Sequence, residues 1–429
     1  MISLLNCLMK FVFSSRRLFV AVSLLIILVG LVFVGVRLWR GVKPAVVFSP
    51  VSVEDVFKRE ADAPKSSQGG AVLDASVNNT DFPFVLPDGF SFSLFATGLD
   101  SPRDLVFDSE GNLLVSEFDA GRVVVFSPEG KRSKLIEGLE KPHGLLLRCE
   151  DGCQLFVVEE RRLWVYDYQP NSLHVSRGRV IADLPRGGRH TIRSLETVSD
   201  DGRERLLVSV GSTCDTCVEN NERAGSVLIM DFDGKNVEIF SRGLRNAVFL
   251  ARHPNTGDVW VTEMGRDKLG DDLPPDEINI LRRFGHYGWP WCYGDRVHDV
   301  VFDLSGQKTD FCSITIGSHI ALPAHVAPLG LVFVPSGVWG QEYDDDLLVA
   351  YHGSWNRSDP VGYKIVRFRL DESGFSEGGF FLEEDFLSGW LNEDGTSFGR
   401  PVDVVFSSDG GLFISDDKVG VIYRLDRAL

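Results

Sequence analysis

One short unit recurs along most of this chain, and it restricts the fold more than any other feature of the sequence. Each copy begins with a Pro or small residue and continues with an apolar strand, a turn containing Asp-Gly or Glu-Gly, and two further strands. The clearest copy, SPRDLVFDSEGNLLVSEFDAGRVVVFSPEG, runs from Ser101 to Gly130. Five more copies occupy Lys141–Asp167, His190–Ser212, Asn246–Gly265, Ala327–Gly353 and Arg400–Asp426.

Six such units predict an all-β, six-bladed β-propeller, because a unit of three or four strands buries neither of its faces alone. The composition agrees, since 43 glycines, 30 phenylalanines and only 4 methionines are typical of short strands joined by tight turns. The strand GFSFSLFATGL near Phe90 is expected to complete the last blade and close the ring. A β-sandwich is the structural alternative, but it gives no reason for a unit that recurs every roughly 40 to 60 residues.

An uncharged apolar segment, LFVAVSLLIILVGLVFVGV, runs from Leu18 to Val36. In helical form it matches a bilayer core of about 30 Å. A cleaved signal peptide is the alternative, but Arg37-Leu-Trp-Arg40 follows in place of a small-residue cleavage site. We predict a cytoplasmic segment at 1–17, a transmembrane helix at 18–36, a flexible linker at 37–81 and the propeller at 82–429.

The cysteines indicate the compartment of the propeller. Cys7 precedes the apolar segment and six cysteines follow it, an even number that favours an oxidising environment, periplasmic or extracellular. A zinc knuckle or a redox motif is the functional alternative for the CDTC segment, but no second ligand pair accompanies it. We therefore predict three local disulfides, namely Cys149–Cys153, Cys214–Cys217 and Cys292–Cys312.

The starts of the inner strands carry the candidate binding residues. A net charge of −17 disfavours nucleic acid as a partner, so an anionic ligand needs a local cluster of cations. Loops at one end of a propeller channel converge, so residues at the blade starts are expected to meet near the axis. These residues are His143, His190, Arg245, Asn246, His325 and Arg400. Each alone is more often a capping or core residue, but their recurrence at equivalent positions favours a shared site.

The segment Gly243–Gly294 contains GLRN, DEIN and YGWP in that order. These motifs resemble the central signature of the glucose/sorbosone dehydrogenases, propeller enzymes that depend on pyrroloquinoline quinone (PQQ). Five other segments, HTIRSL, VGSTCDTC, PAHVAPLGL, YHGSWNR and GRPVDV, are more similar to the sorbosone and pyranose dehydrogenase branch. The resemblance covers about 82–429 and implies oxidation of a sugar, sugar aldehyde or polyol.

The resemblance also implies roles for individual residues. His190 matches the general base that takes the hydroxyl proton while hydride passes to the quinone, a task suited to imidazole. Arg245 and Asn246 match the pair that binds the quinone oxygens, and Arg400 matches an arginine that holds a cofactor carboxylate. The family's substrate-side glutamine and cofactor-binding lysine have no clear equivalents here. Residues that lie where replacements are expected are His143, His325 and Arg357.

Calcium is the second cofactor that the resemblance implies, held partly by backbone carbonyls in the segment that here reads Glu263-Met-Gly265-Arg266. The glucose dehydrogenase branch has proline in place of Arg266. The acidic run that follows, including Asp267, Asp271 and Asp272, offers hard oxygen ligands of the kind Ca²⁺ favours, and a solvated loop is the alternative.

Two other functions are compatible with a six-bladed propeller. A Ca²⁺-dependent lactonase needs Glu, Asn and Asp at the axis, whereas this chain sends His and Arg there. A non-catalytic extracellular propeller is the other alternative. For the dehydrogenase we expect a small-molecule sugar substrate, membrane attachment through the N-terminal helix and a separate electron acceptor, because the chain has no CxxCH haem-attachment motif.

Overall fold

A computed structural model describes residues 22–43, 76–80, 82–186, 188–376 and 380–427. The predicted cytoplasmic segment and most of the predicted linker lie outside these residues. The N-terminal helix α1 spans Val22–Lys43 and is long and apolar enough to cross a membrane. Residues 37–43, which the sequence predicts to be linker, are therefore helical.

Within the described residues, twenty-nine strands form six sheets and one short hairpin, which confirms the predicted six-bladed propeller. The strands from the N-terminus through blade 2 are β1 (Val77–Asn78), β2 (Phe90–Ala96), β3 (Pro102–Phe107), β4 (Leu113–Glu117), β5 (Arg122–Phe126), β6 (Arg132–Glu137), β7 (Leu145–Cys149), β8 (Cys153–Val158), β9 (Arg162–Gln169), β10 (His174–Val175) and β11 (Arg179–Asp183). A 3-10 helix, Pro170–Ser172, joins β9 to β10.

The strands of blades 3 and 4, with the hairpin between them, are β12 (Leu195–Asp200), β13 (Arg203–Val210), β14 (Ser226–Met230), β15 (Glu238–Arg242), β16 (Ala247–Arg252), β17 (Val259–Glu263), β18 (Asp276–Ile280), β19 (Gly285–His286), β20 (Cys292–Tyr293), β21 (Val297–His298) and β22 (Ile320–Leu322). A short helix, α2 (Thr309–Cys312), precedes β22. The last two blades contain β23 (Pro328–Phe333), β24 (Leu347–Tyr351), β25 (Lys364–Phe368), β26 (Glu383–Leu387), β27 (Pro401–Phe406), β28 (Leu412–Asp416) and β29 (Val421–Arg427).

The blades form a closed ring. Their inner strands are β3, β7, β12, β16, β23 and β27; each contacts the next, and β27 contacts β3. The ring closes as predicted, because β2 from the start of the propeller pairs antiparallel with β29 from its end. A second strand such as β4, β17 or β28 is buried along its whole length, since neighbouring blades cover both of its faces.

A β-bulge marks the start of four inner strands. In β3, β16, β23 and β27 the pairing with the second strand slips after the first residue. Bulges of this kind bend the strand and redirect the residues beside them. Before three of these strands, β16, β23 and β27, lie residues that the sequence assigned to a shared site, namely Arg245 with Asn246, His325 and Arg400.

Buried carboxylates hold the loops that lead into the inner strands. Each lies at or just after the end of a second strand and accepts a backbone N–H from the loop that enters the same blade. The pairs are Glu117 with Asp100, Glu159 with Glu140, Glu263 with Arg245, and Asp416 with Arg400. Glu263 also accepts the N–H of Asn246, at 3.2 Å. We call these four side chains the entry carboxylates.

The three predicted disulfides are present. Cys149–Cys153 joins facing residues of β7 and β8, and Cys214–Cys217 closes a tight loop after β13. Cys292–Cys312 ties the β20–β21 hairpin to α2. The longest of these bonds spans 20 residues, so all three stabilise local loops and not the ring closure.

We predict that Glu263→Ala lowers the free energy of unfolding. The substitution leaves two buried N–H groups, those of Arg245 and Asn246, without an acceptor, and each such group costs about 1–3 kcal/mol. Denaturant unfolding of the two proteins measures the difference. Glu263→Gln keeps one carbonyl oxygen and should recover part of the loss; wild-type stability in Glu263→Ala would show that this carboxylate does not hold the loop.

Candidate active site

A cavity of about 380 Å³ opens at the starts of blades 3, 4 and 5. We call it the axial cavity. It is lined by four of the six blade-start residues and by segments that follow β17 and β24. Its lining residues are Arg189, His190, Arg245, Asn246, Met264, Gly265, Asp267, Asp276, His325, Ala327, Trp355 and Asn356.

The hydrogen bonds of His190 fix its tautomer. Its Nδ1 lies 3.2 Å from the carbonyl oxygen of Ser212 and 2.9 Å from the Ser212 hydroxyl. That hydroxyl donates its own proton to the carbonyl of Cys214, at 2.7 Å, so both Ser212 oxygens act as acceptors toward the ring. Nδ1 therefore carries the hydrogen, and Nε2 keeps a free lone pair.

The surroundings keep His190 neutral. Burial, followed by the positive charges of Arg245 and Arg189, lowers the pKa of His190 to about 3. Because this pKa lies well below the value near 6.5 of an unperturbed imidazole, the ring is uncharged throughout the physiological range. His190 is thus in the state required of a proton acceptor.

Arg245 is clamped by the disulfide loop on one side and by the strand end on the other. Its Nε donates to the carbonyl of Asp215 at 2.9 Å, and its Nη2 donates to the Asp215 carboxylate at 2.8 Å. Its Nη1 donates to the carbonyl of Met264 at 3.2 Å. The residue is only 4% exposed, so the position of its side chain is set by these contacts and not by solvent.

Asn246 presents an unused acceptor. Its Nδ2 lies 3.3 Å from the sulfur of Met264, a weak acceptor, while its Oδ1 is buried and has no hydrogen-bond partner among the described residues. A buried carbonyl oxygen without a donor is costly unless a ligand or water satisfies it. The amide therefore indicates a ligand with a hydrogen-bond donor in this cavity.

Asp267 links the two sides of the axial cavity. It forms an ion pair with Arg189 and a longer one, 3.4 Å, with Arg245. Asn356 donates to its other oxygen at 2.7 Å and lies 3.3 Å from Nδ1 of His325. The second ring nitrogen of His325 lies near the carbonyls of Gly270 and Leu273, so His325 connects blade 5 to the loop after β17.

Asp276 adds a further buried carboxylate to the cavity wall. It accepts the N–H groups of Gly265 at 2.8 Å and Ala327 at 2.9 Å. Burial raises the pKa of Asp276 to about 6, although these bonds oppose the shift. Two arginines therefore face two lining aspartates, Asp267 and Asp276, with Asp215 adjoining, so the cavity has no excess of positive charge.

Two of the predicted cofactor residues do not line this cavity. His143 is 1% exposed and packs its ring against Phe249, with the centroids 5.0 Å apart. Burial and Arg103 hold the pKa of His143 well below its usual range. Arg400 donates to the carbonyls of His352 and Gly353 and lies over the ring of Tyr363. Both residues lie at blade starts as predicted, but neither side chain lines the axial cavity.

The five predicted metal residues also separate. Gly265 and Asp267 line the axial cavity, whereas Arg266 turns away and forms a 2.7 Å ion pair with Asp299. Asp271 accepts the N–H of Ser358, and Asp272 is exposed and paired with Arg357. The structure therefore does not gather the acidic run around one point.

Several cavity residues were not singled out from the sequence. Arg189, Trp355 and Asn356 have no equivalents in the other repeat units, so recurrence gave no signal for them. Their position in the sequence could nevertheless have indicated them. Arg189 directly precedes His190, and Trp355 and Asn356 lie within the YHGSWNR segment that resembles the family.

Comparison with known proteins identifies the family. A family model described as TrAA12-like matches residues 84–428. The chain belongs to this family. A PQQ-dependent sugar dehydrogenase of Hypocrea jecorina is 25% identical over 410 residues, covering 82% of this chain and 92% of the relative. An uncharacterized protein of Borreliella burgdorferi is 30% identical over 349 residues, covering 79% of this chain and 90% of that protein. The predicted resemblance to PQQ-dependent sugar dehydrogenases is thus confirmed.

Solved structures of the family support the same fold. The holo form of the PQQ domain of pyranose dehydrogenase from Coprinopsis cinerea superposes with a TM-score of 0.70 at 22% identity, covering 82% of this chain and all of that domain. The calcium structure of the family AA12 enzyme from Trichoderma reesei gives 0.69 at 24% identity, covering 81% of this chain and 98% of that one. The full-length Coprinopsis enzyme is longer, and the matched region spans 54% of it.

We predict that His190 of the cofactor-free protein does not titrate between pH 5 and 8. Since its folded pKa, about 3, lies below its unfolded value, the unfolded state binds the proton more tightly. Stability should therefore rise as the pH increases from about 3 to about 6.5 and receive no further contribution above that. NMR of the ring resonance, assigned with His190→Gln, measures the pKa; a midpoint of 6 to 7 would contradict the prediction.

Proposed function

We propose that this chain is a membrane-anchored quinoprotein that oxidises a sugar, sugar aldehyde or polyol by hydride transfer to PQQ, with His190 as general base. The observation that carries the proposal is the meeting of a neutral imidazole, a clamped guanidinium and an unsatisfied amide oxygen in one cavity. Family membership supports the reaction class. The N-terminal helix supports the anchor.

The donor set of the axial cavity suits PQQ. Arg189 and Arg245 offer guanidinium groups for carbonyl and carboxylate oxygens, and Asn246 offers both an amide donor and its unused Oδ1. His325 and Asn356 close the opposite wall. When bound, PQQ supplies the acceptor for the hydride that leaves the substrate carbon. Arg245 is positioned to stabilise the negative charge that develops on a reduced ring.

Charge balance supports a divalent cation beside the cofactor. Asp215 and Asp267 already pair with Arg245 and Arg189, and Asp276 brings another carboxylate. A tricarboxylic ligand entering such a cavity needs additional positive charge. Ca²⁺ prefers carboxylate and backbone oxygens, which Asp267 and the Gly265 segment can offer. We therefore retain Gly265 and Asp267 as ligand candidates, and the outward contacts of Arg266, Asp271 and Asp272 make them weaker ones.

His190 is equipped to move one proton. Ser212 holds the hydrogen on Nδ1, so Nε2 can accept the proton of a substrate hydroxyl. Burial and the positive charges of Arg245 and Arg189 disfavour the imidazolium that results, so His190 would release the proton readily once the product leaves. An anionic cofactor bound in the cavity would offset part of the repulsion from the two arginines.

PQQ binding tests the proposal. We expect the cofactor-free full chain to show PQQ-dependent absorbance in the presence of Ca²⁺, to lose it with a chelator, and to reduce an artificial dye with a sugar only when PQQ is present. Arg245→Ala should weaken PQQ binding about tenfold or more, the loss of one charge-assisted hydrogen bond. Arg400→Ala is the comparison, with a smaller expected effect because Arg400 lies outside the cavity. Lactone hydrolysis without PQQ would contradict the proposal.

Replacement of His190 separates chemistry from binding. In His190→Gln the side-chain amide can keep a hydrogen bond to Ser212 but accepts no proton, so turnover should fall by about 10² to 10⁴ while PQQ affinity stays near wild type. Steady-state kinetics at saturating PQQ, with a PQQ titration beside them, measure both quantities. Near-normal turnover would reassign the base, and His325, which also lines the cavity, would be tested next.

A further inference from the structure

A second cavity of about 370 Å³ lies between the end of α1 and two loops of the propeller. We call it the helix crevice. Its helix side is formed by Arg37, Leu38 and Val42. Its propeller side is formed by Asp267, Lys268, Gly270, Asp271, Trp355, Asn356, Arg357 and Ser358.

The helix crevice adjoins the axial cavity. Asp267, Trp355 and Asn356 line both spaces, so these side chains form the wall between them. The indole of Trp355 is 47% exposed and lies 6.0 Å from the guanidinium of Arg189, which lines the axial cavity. A ligand in the crevice would therefore be separated from a cofactor in the axial cavity only by this wall of side chains.

Close packing of α1 against the propeller forms the crevice. At Gly41 a Cβ atom would lie 1.8 Å from the carbonyl oxygen of Arg357, so only glycine permits this approach. Lys43 donates to the carbonyl of Asp394 at 2.8 Å, and Arg40 lies 3.9 Å from the Asp359 carboxylate. The rest of α1, from Val22 onward, exposes an apolar surface that continues from Leu38. The crevice thus borders the part of the helix that suits a bilayer.

The walls of the crevice combine three kinds of contact. Trp355 offers an aromatic face, and Leu38 and Val42 offer apolar contact. Arg37, Lys268 and Arg357 line the crevice with cationic N–H groups, and such donors favour a ligand with a carbonyl oxygen. The carboxylates of Asp267 and Asp271 lie in the same walls. A planar ring with carbonyl oxygens and an apolar tail satisfies all three.

We propose that the helix crevice binds the head group of a lipid-soluble quinone, which is the electron acceptor of this enzyme. The inference rests on the proposed function, because that function supplies the reduced cofactor. The quinone takes two electrons and two protons and leaves as a quinol, while the reduced cofactor gives up the same two electrons and two protons and returns to its oxidised form. No other oxidant is needed. A ligand that partitions into the bilayer reaches the crevice along α1.

The binding test uses the cofactor-free full chain in lipid nanodiscs with a photoreactive azidoquinone as the probe. We expect labelling of the segments that contain Leu38 and Trp355, and competition by an unlabelled short-chain quinone. Gly41→Val should abolish the labelling, because its side chain forces α1 away from Arg357. Gly35→Val is the matched control, since nothing lies within 4 Å of a Cβ at Gly35. Labelling that persists in Gly41→Val, or is displaced by anionic phospholipid but not by quinone, would overturn the site.

The activity test compares two acceptors in the reconstituted enzyme. We expect Gly41→Val to reduce quinone-linked turnover about tenfold or more while dye-linked turnover stays near wild type, because the dye reaches the axial cavity from water. Gly35→Val should retain both. Dye-linked turnover without quinone reduction in the wild type would overturn the acceptor and leave the dehydrogenase intact. Specific labelling in a chain that does not bind PQQ would instead overturn the proposed function.

Discussion

The hydrogen bond from a blade's entry loop to a buried carboxylate at the end of the second strand is the interaction on which this site depends. Four blades contain it, through Glu117, Glu159, Glu263 and Asp416. In blade 4 the carboxylate receives the N–H groups of both Arg245 and Asn246, so the backbone of the two cofactor candidates is held by one side chain. The loops that carry the chemistry are thereby fixed to the rigid core.

Two of these carboxylates, Glu263 and Asp416, are buried at a considerable electrostatic cost. Burial and the neighbouring Glu277 raise the pKa of Glu263 well above its usual range, and burial raises that of Asp416 to about 7. Backbone N–H groups oppose the shift in both cases, and Arg245 adds to this at Glu263. Perturbed pKa values of this kind cluster at functional sites. Charges are balanced in a similar way in the axial cavity, where Arg189 pairs with Asp267 and Arg245 pairs with Asp215.

The fold could be predicted from the sequence because a propeller is periodic. Recurrence located six units, and the apolar strand near Phe90 indicated how the ring closes. Recurrence also predicted which residues begin the inner strands, and three of these positions, around His190, Arg245 and His325, meet in one cavity.

The direction in which each blade-start side chain points could not be predicted from recurrence. His143 and Arg400 also lie at blade starts, but the ring of His143 packs against Phe249, and Arg400 donates to two backbone carbonyls. The helical residues after Val36 were missed for a different reason: hydropathy falls at Arg37, whereas the backbone remains helical through Lys43.

The Cys214–Cys217 loop holds both His190 and Arg245, the two residues that the proposed reaction needs together. The carbonyl of Cys214 receives the hydroxyl hydrogen of Ser212 and so fixes the tautomer of His190, while Asp215 in the same loop clamps Arg245. Breaking this one disulfide would loosen the contacts of both side chains at once, without opening the ring. The geometry of the axial cavity therefore depends on one covalent bond, of a kind that forms in an oxidising environment.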